Sequence, residues 1–271
     1  MMRGSFRYLI ALVVAGFSFI TYYCNRQTNP VTGEEQHVNL STEDEIALGL
    51  KAAPEMAQQY GGLHPDKQAQ EAVSRIGQAI VQGSPASRSP YKFNFYLLAD
   101  EQTINAFALP GGQIFLTAGL LKNLKSEGQV AGVLAHEVGH VIQRHSAEQL
   151  AKTQLTQGLA GAAGIAAYDP DRPGGSIANA AIAAAIAKVV SLRFSREDEL
   201  EADRVGVDYV SDAGYDPRAM LQVMQVLEQA GGGGSGPEFM QTHPNPGNRE
   251  QEIQQEIKEH FPSGVPAGLK P

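Results

Sequence analysis

The chain opens on an uncharged stretch, Tyr8 to Tyr23, preceded by Arg3 and Arg7. Its length falls between the apolar core of a secretory signal and the roughly 20 residues a helix needs to cross a bilayer. Leading basic residues hold an amino terminus on the cytoplasmic side, so the chain beyond the stretch is expected to be exported. Residues 1–24 therefore read as a signal segment or membrane anchor, 25–40 as a polar connector, 41–262 as the main domain and 263–271 as a loose tail. Cys24 at the end of the stretch fits a lipoprotein, but Tyr22 and Tyr23 stand where small residues are usual; lipidation, an uncleaved anchor and a cleaved signal all remain open.

Beyond the connector the pattern turns helical. Ser41 and Thr42 precede Asp44 and Glu45 as an N-cap with an acidic first turn, predicting a helix to about Tyr60 that Gly61 and Gly62 close. Pro65 opens a second helix, with Ala69, Val73, Ile76 and Ile80 at helical spacing. Tyr91 to Leu98, Ile104 to Leu109 and Gln113 to Thr117 read as strands, the last two joined by the turn Pro110-Gly111-Gly112. The middle strand is either a buried hairpin arm or an edge able to pair with an extended peptide. Ser126 caps a long helix expected to run without a break through Lys152, with Val130, Val133, Leu134, Val141 and Ile142 on its apolar side. Leu155–Ala167 and Ile177–Val190 are rich in Ala and Gly, are each too short to span a membrane and are split by DPDRPGG, which predicts a soluble helical hairpin ahead of membrane contact or, over 151–190, a lid. SREDELEADRVGVDYVSDAG is a helix ending at Gly214, Pro217 starts another through Gln229, and GGGGSGPE is a flexible loop by composition. A last amphipathic helix carries Ile253 and Ile257. The predicted class is α+β, mostly helical, with one small sheet and no internal repeat.

Composition narrows the function classes. The formal net charge is -8, and no run of Lys and Arg makes a phosphate-binding face, so nucleic acid is not expected as a partner. With Cys24 the single cysteine, neither an internal disulfide nor a zinc site of several thiolates can form. Any metal must be held by histidine and carboxylate.

Those groups occur together on the long helix. His136 and His140 are four residues apart, about 40° in azimuth and one turn along the axis, so both imidazoles reach one ion. A glutamate after the first, Glu137, completes the zinc-protease pattern. Catalytic zinc takes a third protein ligand and keeps one open position. His145 lies about 140° around a continuous helix from His140, which makes it a solvated or capping residue. The acidic helix is the better source, offering Glu197, Asp198, Glu199, Glu201 and Asp203. Spacing alone leaves the choice open; it puts Glu199 and Asp203 on one face, one to bind metal and one to orient a ligand histidine. Glu197 and Asp198 fit a solvated face.

NPVTGEEQ, NAFALPGGQIFLTAGLL, HEVGH, SREDELEAD and THPNPGNRE, in that order, resemble the zinc metallopeptidases of peptidase family 48, which includes the CAAX prenyl proteases, the HtpX-like heat-shock proteases and periplasmic quality-control proteases. The resemblance implies a gluzincin (zincin) domain over 41–262 with its HExxH helix, and a single Zn2+ on His136, His140 and Glu199. It implies Glu137 as general base, Asp203 as the group holding His136, and His243 near the metal, either stabilising the oxyanion or closing the open position. Arg249 matches a family arginine, as an ion-pair partner or an oxyanion contact, and Asn105 and Ala106 match the edge strand that aligns substrate. The membrane spans of the prenyl and heat-shock proteases and the helical repeats of some periplasmic relatives are missing, so no repeat-type partner domain is expected. The expected function is a zinc endopeptidase on the periplasmic side of a bacterial envelope, held to the membrane by its N-terminal segment and acting on unfolded or misassembled proteins. The competing expectation is a latent or chaperone-like zinc protein closed by His243.

Overall fold

In the computed structural model, residues 2–167, 193–230, 237–244 and 247–271 are described. Helix α1 (Met2–Cys24) lies along α6 (His145–Ala167). No helix among the described residues is long and apolar enough to cross a membrane. The connector holds a short antiparallel hairpin of β1 (Arg26–Thr28) and β2 (Glu35–His37). Its side chains do local work: Asn29 donates to the Ile142 carbonyl at 2.8 Å and Gln36 to that of Gln143 at 2.6 Å. They satisfy carbonyls left free at the end of the motif helix.

Helix α2 (Thr42–Gln59) begins in a capping box of Ser41 and Asp44 and ends at Gly61 and Gly62, both left-handed. Helix α3 (Lys67–Gly83) starts two residues past Pro65, because the Asp66 carboxylate accepts from the Gln68 and Ala69 amides and so acts as the N-cap. Strands β3 (Asn94–Leu98), β4 (Ala106–Leu109) and β5 (Gln113–Thr117) form one sheet in the order β3-β5-β4, with β5 parallel to β3 and antiparallel to β4. Alternation along β5 sends Ile114 and Leu116 into the core with Val73, Ile76 and Ile80 of α3, and Phe115 into a second cluster with Ala52 and Met56 of α2. Both faces are covered; β5 is central and β3 and β4 are the two edges, β3 meeting an isolated bridge from Leu63 to Leu98.

The hairpin tip meets α2 closely enough to require glycine at position 49. A Cβ on Gly49 would lie 2.0 Å from the Pro110 carbonyl oxygen, a backbone atom. Gly49→Ala is expected to cost about 1–3 kcal/mol, read from urea unfolding, because helix and hairpin must part.

After α4 (Ala118–Leu121), helix α5 (Glu127–Ile142) is capped by Ser126 and is buried from Gly128 to Ile142. It does not continue through Lys152. Arg144 adopts a left-handed conformation with φ 56°, and α6 restarts at His145. The cause is a long-range pin: the buried Arg144 guanidinium donates from Nε to Glu45 at 2.8 Å and from Nη2 to the Leu40 carbonyl at 2.9 Å.

Helix α7 (Arg196–Asp212) starts in a second capping box, Ser195 with Asp198, and stops before Gly214 at φ 81°. Asp198 is buried, not solvated: it closes that cap and accepts from Gln149 at 2.7 Å. Helices α8 (Arg218–Ala230), α9 (Glu238–Thr242) and α10 (Arg249–His260) complete the domain. The last residues are not loose. The Lys270 amide donates to Gly214 at 3.0 Å, its carbonyl accepts from Asp216 at 2.8 Å, and the Pro271 carbonyl accepts from Gly128 at 2.8 Å, at the start of α5. DPDRPGG, Ile177–Val190, most of the expected lid and the GGGGSG run lie outside the described residues.

Candidate metal centre

Helices α5 and α7 approach each other through small residues. A Cβ on Gly139 would lie 3.0 Å from the Ala202 carbonyl, and one on Gly206 would lie 3.4 Å from the His136 amide nitrogen. The glycine inside the histidine motif and the alanine beside Asp203 thus let the two ligand-bearing helices close.

At that contact His136 Nε2 and His140 Nε2 stand 3.1 Å apart. Glu199 of α7 brings Oε2 to 3.6 Å from His136 Nε2 and Oε1 to 3.5 Å from His140 Nε2. His243, at the end of α9, places Nδ1 3.4 Å from His136 Nε2 and 3.0 Å from Glu199 Oε1. One donor atom from each of these buried residues lies within 4.8 Å of all the others. An ion holding nitrogen and oxygen ligands tetrahedrally at about 2.0–2.2 Å spaces its donors roughly 3.3 Å apart, so this set fits one.

Further groups hold the donors in place. His136 Nδ1 is 2.8 Å from Asp203 Oδ1, and Asp203 accepts from Arg249 at 2.6 and 2.7 Å. Arg249 also sets Nη1 2.9 Å from Glu199 Oε2. Phe194 stacks on His140 at 4.0 Å and Phe239 on His243 at 4.3 Å, fixing both ring planes. His145 is buried, contrary to its expected solvation, with Nδ1 2.8 Å from His140 Nδ1 and Nε2 3.1 Å from Glu201 Oε2. The helix break at Arg144 is what carries it there.

Ionisation follows from these contacts. Burial drives the His140 imidazole well below its usual range, which keeps it neutral, as a ligand must be. Burial pushes Glu199 and Asp203 the other way, but His243, His140 and Arg249 hold the first well below the carboxylate range and Arg249 and His136 hold the second below it. Burial raises Glu137, whose carboxylate is fully enclosed; neither of its oxygens has a hydrogen-bond partner, and His243 Nε2 stands 3.6 Å from Oε1.

Asn105 and Ala106 lie at the start of the edge strand. Asn105 donates from Nδ2 to Glu238 at 2.9 Å and to the Tyr60 hydroxyl at 3.3 Å, and Tyr60 itself donates to Glu238. Its backbone is committed to Thr117, accepting from the amide at 3.0 Å and donating to Oγ1 at 3.1 Å. Ala106 is buried as well, whereas Ala108 is half-buried. In the register of β4 with β5, the amides and carbonyls of Ala106 and Ala108 point away from β5. The outer edge is therefore covered at Ala106 and opens at Ala108.

Residues 67–257 match Peptidase family M48. The chain belongs to this family. It is similar to the "Beta-barrel assembly-enhancing protease" of Yersinia pestis, 31% identical over 223 residues, covering 81% of this chain and 45% of that protein. The protein of the same name from Escherichia coli (strain K12) is 30% identical over 247 residues, 89% of this chain and 49% of its own length. The "Mitochondrial metalloendopeptidase OMA1" of Schizosaccharomyces pombe is 29% identical over 260 residues, 94% of this chain and 73% of its own. The chain thus spans about half the length of the bacterial relatives.

For this M48 domain, the structure brings His136, His140, Glu199 and His243 into one donor set, with Glu137, Asp203 and Arg249 around it. Glu201 is outside that set and touches His145. Helical spacing missed His145 because it assumed an unbroken helix. It missed Phe194 and Phe239 because single aromatics in short segments carry no periodic signal.

Proposed function

We propose that the chain is a zinc-dependent endopeptidase in which Glu137 is the general base. The observation that carries this reading is the Glu137 carboxylate, fully enclosed beside the donor set with both oxygens unpartnered. Burying a carboxylate without donors costs several kcal/mol, a cost expected where the group must meet a water molecule and a substrate. Zinc, when bound, polarises the scissile carbonyl and brings water within reach of a carboxylate base at neutral pH. Glu137 takes the proton from the attacking water and passes it to the leaving amine. Asp203 accepts the Nδ1 proton of His136 and so directs Nε2 at the metal position, and Arg249 holds Asp203 and Glu199 in place. Extended substrate is proposed to pair with the outward amides and carbonyls of Ala108 and then Ala106, and to reach the Asn105 side chain once Glu238 releases it.

Misfolded or misassembled proteins of the bacterial envelope are the proposed substrates. An edge strand reads backbone and not sequence, which suits unfolded chains, and the bacterial relatives are named for β-barrel assembly. Placement on the periplasmic side is supported by the basic residues ahead of the uncharged stretch. The apolar surface of α1, with Leu12 71% and Phe17 70% exposed, supports contact with a membrane.

A second reading rests on His243. Its Nδ1 stands inside the donor set, where a catalytic zinc site keeps a position open. That supports a latent enzyme or a chaperone-like zinc protein in this conformation. Casein cleavage by zinc-loaded protein separates the readings. His243→Ala is expected to cleave faster than wild type, and a chelator to abolish cleavage by both. Absence of cleavage from both zinc-loaded proteins would leave the binding-protein reading.

A further inference from the structure

We propose that His145 and Glu201 form a relay that fixes the tautomer and orientation of His140, making both of them positioning residues for the metal centre. The inference rests on the reading of His140 as a zinc ligand and extends it to residues outside the donor set. Three observations carry it.

The first is proton bookkeeping. Glu201 accepts only, so the contact at 3.1 Å places a proton on His145 Nε2. In a neutral imidazole, His145 Nδ1 is then an acceptor, and the 2.8 Å contact places the Nδ1 proton on His140. His140 Nε2 is left with its lone pair facing His136 and Glu199. The reverse polarity would put a proton on Nε2, where a metal must bind. At His136 a carboxylate faces the ring with no imidazole between, Asp203 Oδ1 standing 2.8 Å from Nδ1. The two ligand histidines are thus held by different means, a carboxylate directly and a carboxylate through a second imidazole.

The second observation is the backbone. On an uninterrupted helix His145 would point about 140° away from His140. Arg144 at φ 56° breaks that geometry, and a non-glycine residue in this region costs about 1–3 kcal/mol. Its buried guanidinium, bonded to Glu45, Leu40 and Gln27, maintains the strain. The strained turn aims His145 back at the metal ligand.

The third is the anchoring of Glu201. Its Oε1 accepts from Gln143 Nε2, and the Gln143 carbonyl is itself held by Gln36 at 2.6 Å. Glu201 is therefore fixed by the C-cap residue of α5, the helix that carries His140, although it resides on α7.

The test uses the full chain. Zinc affinity is measured by chelator competition for wild type, His140→Ala, His145→Ala, His145→Gln and Glu201→Gln, with melting of each zinc-free protein as the folding control. His145→Ala is expected to bind zinc about 10–100-fold more weakly. His145→Gln, which keeps an acceptor for His140 and a donor for Glu201, is expected to recover most of that loss, and Glu201→Gln, which no longer only accepts, is expected to bind more weakly than wild type but better than His145→Ala. Nitrogen-15 NMR of the zinc-loaded wild type is expected to show His140 protonated at Nδ1 and His145 at Nε2 alone. Wild-type affinity in His145→Ala, or a proton on His145 Nδ1 in the loaded protein, would overturn the relay while leaving the zinc reading intact. Loss of zinc by wild type, or none from His140→Ala, would instead overturn the zinc reading and the relay with it. Should His145→Ala fail to fold, the NMR assignment decides.

Discussion

Glu137→Gln is expected to slow casein hydrolysis by about 10²–10⁴-fold while zinc stays bound as in wild type. The glutamine has nearly the same shape and fills the same enclosed space, but it cannot take up a proton. Metal binding is expected to survive because Glu137 is outside the donor set, with His243 Nε2 3.6 Å from its Oε1. Stability supplies a second, independent sign. Burial raises the Glu137 carboxyl, so the folded protein resists its ionisation more than the unfolded chain does. The penalty is absent below the unfolded value and grows as pH rises through the folded one. At neutral pH the zinc-free variant should therefore melt no lower than wild type. Measuring both properties guards against a trivial result. A variant that keeps zinc, melts as expected and still cleaves casein at the wild-type rate would remove Glu137 from the mechanism.

The parts of this molecule that could be read from sequence are those governed by near neighbours. Ser41 and Ser126 cap the helices they were expected to cap, and Gln113–Thr117 is a strand within the expected limits. The i, i+4 spacing of His136 and His140, and of Glu199 and Asp203, survives into the structure because each pair shares a helix face. What local pattern could not reach was decided by distant groups. The break after Ile142 depends on Glu45, 99 residues away from Arg144, and nothing in QRHS announces it. The last residues look like a tail by composition, yet Lys270 and Pro271 find backbone partners near Gly214 and Gly128. His243 joins a site 107 residues from His136, which only the family resemblance suggested. Glu201 could not be told from Glu199 by spacing. Their environments separate them: Glu199 is fully enclosed against the histidines, while the Glu201 side chain remains 34% exposed beside His145.

Arg249→Leu is expected to destabilise the zinc-free protein by about 3–5 kcal/mol, the cost of leaving buried charge without its partner. Arg249 is 1% exposed and donates from Nε and Nη2 to the two Asp203 oxygens at 2.6 and 2.7 Å. Its Nη1 faces Glu199 at 2.9 Å. One guanidinium therefore balances two enclosed carboxylates, and Asp203 and Glu199 both lie below the usual range with Arg249 among the causes. The sign follows from that direction: their contribution to stability is present above the unfolded carboxylate values and is lost as pH falls through the folded ones. The wild-type advantage over Arg249→Leu should shrink accordingly on acidification. Arg249→Lys should recover little, because an ammonium cannot bond both Asp203 oxygens and reach Glu199 with fixed geometry. Asp203, once released, no longer holds His136, so zinc affinity is expected to fall about 10–100-fold as well. The Nε and Nη2 bonds to Asp203 favour the ion-pair role over an oxyanion contact, although Nη1 makes no hydrogen bond. Urea unfolding of zinc-free wild type and variant decides between the roles. A loss below about 1 kcal/mol, typical of an exposed pair, would mean that Arg249 is not bound into this network.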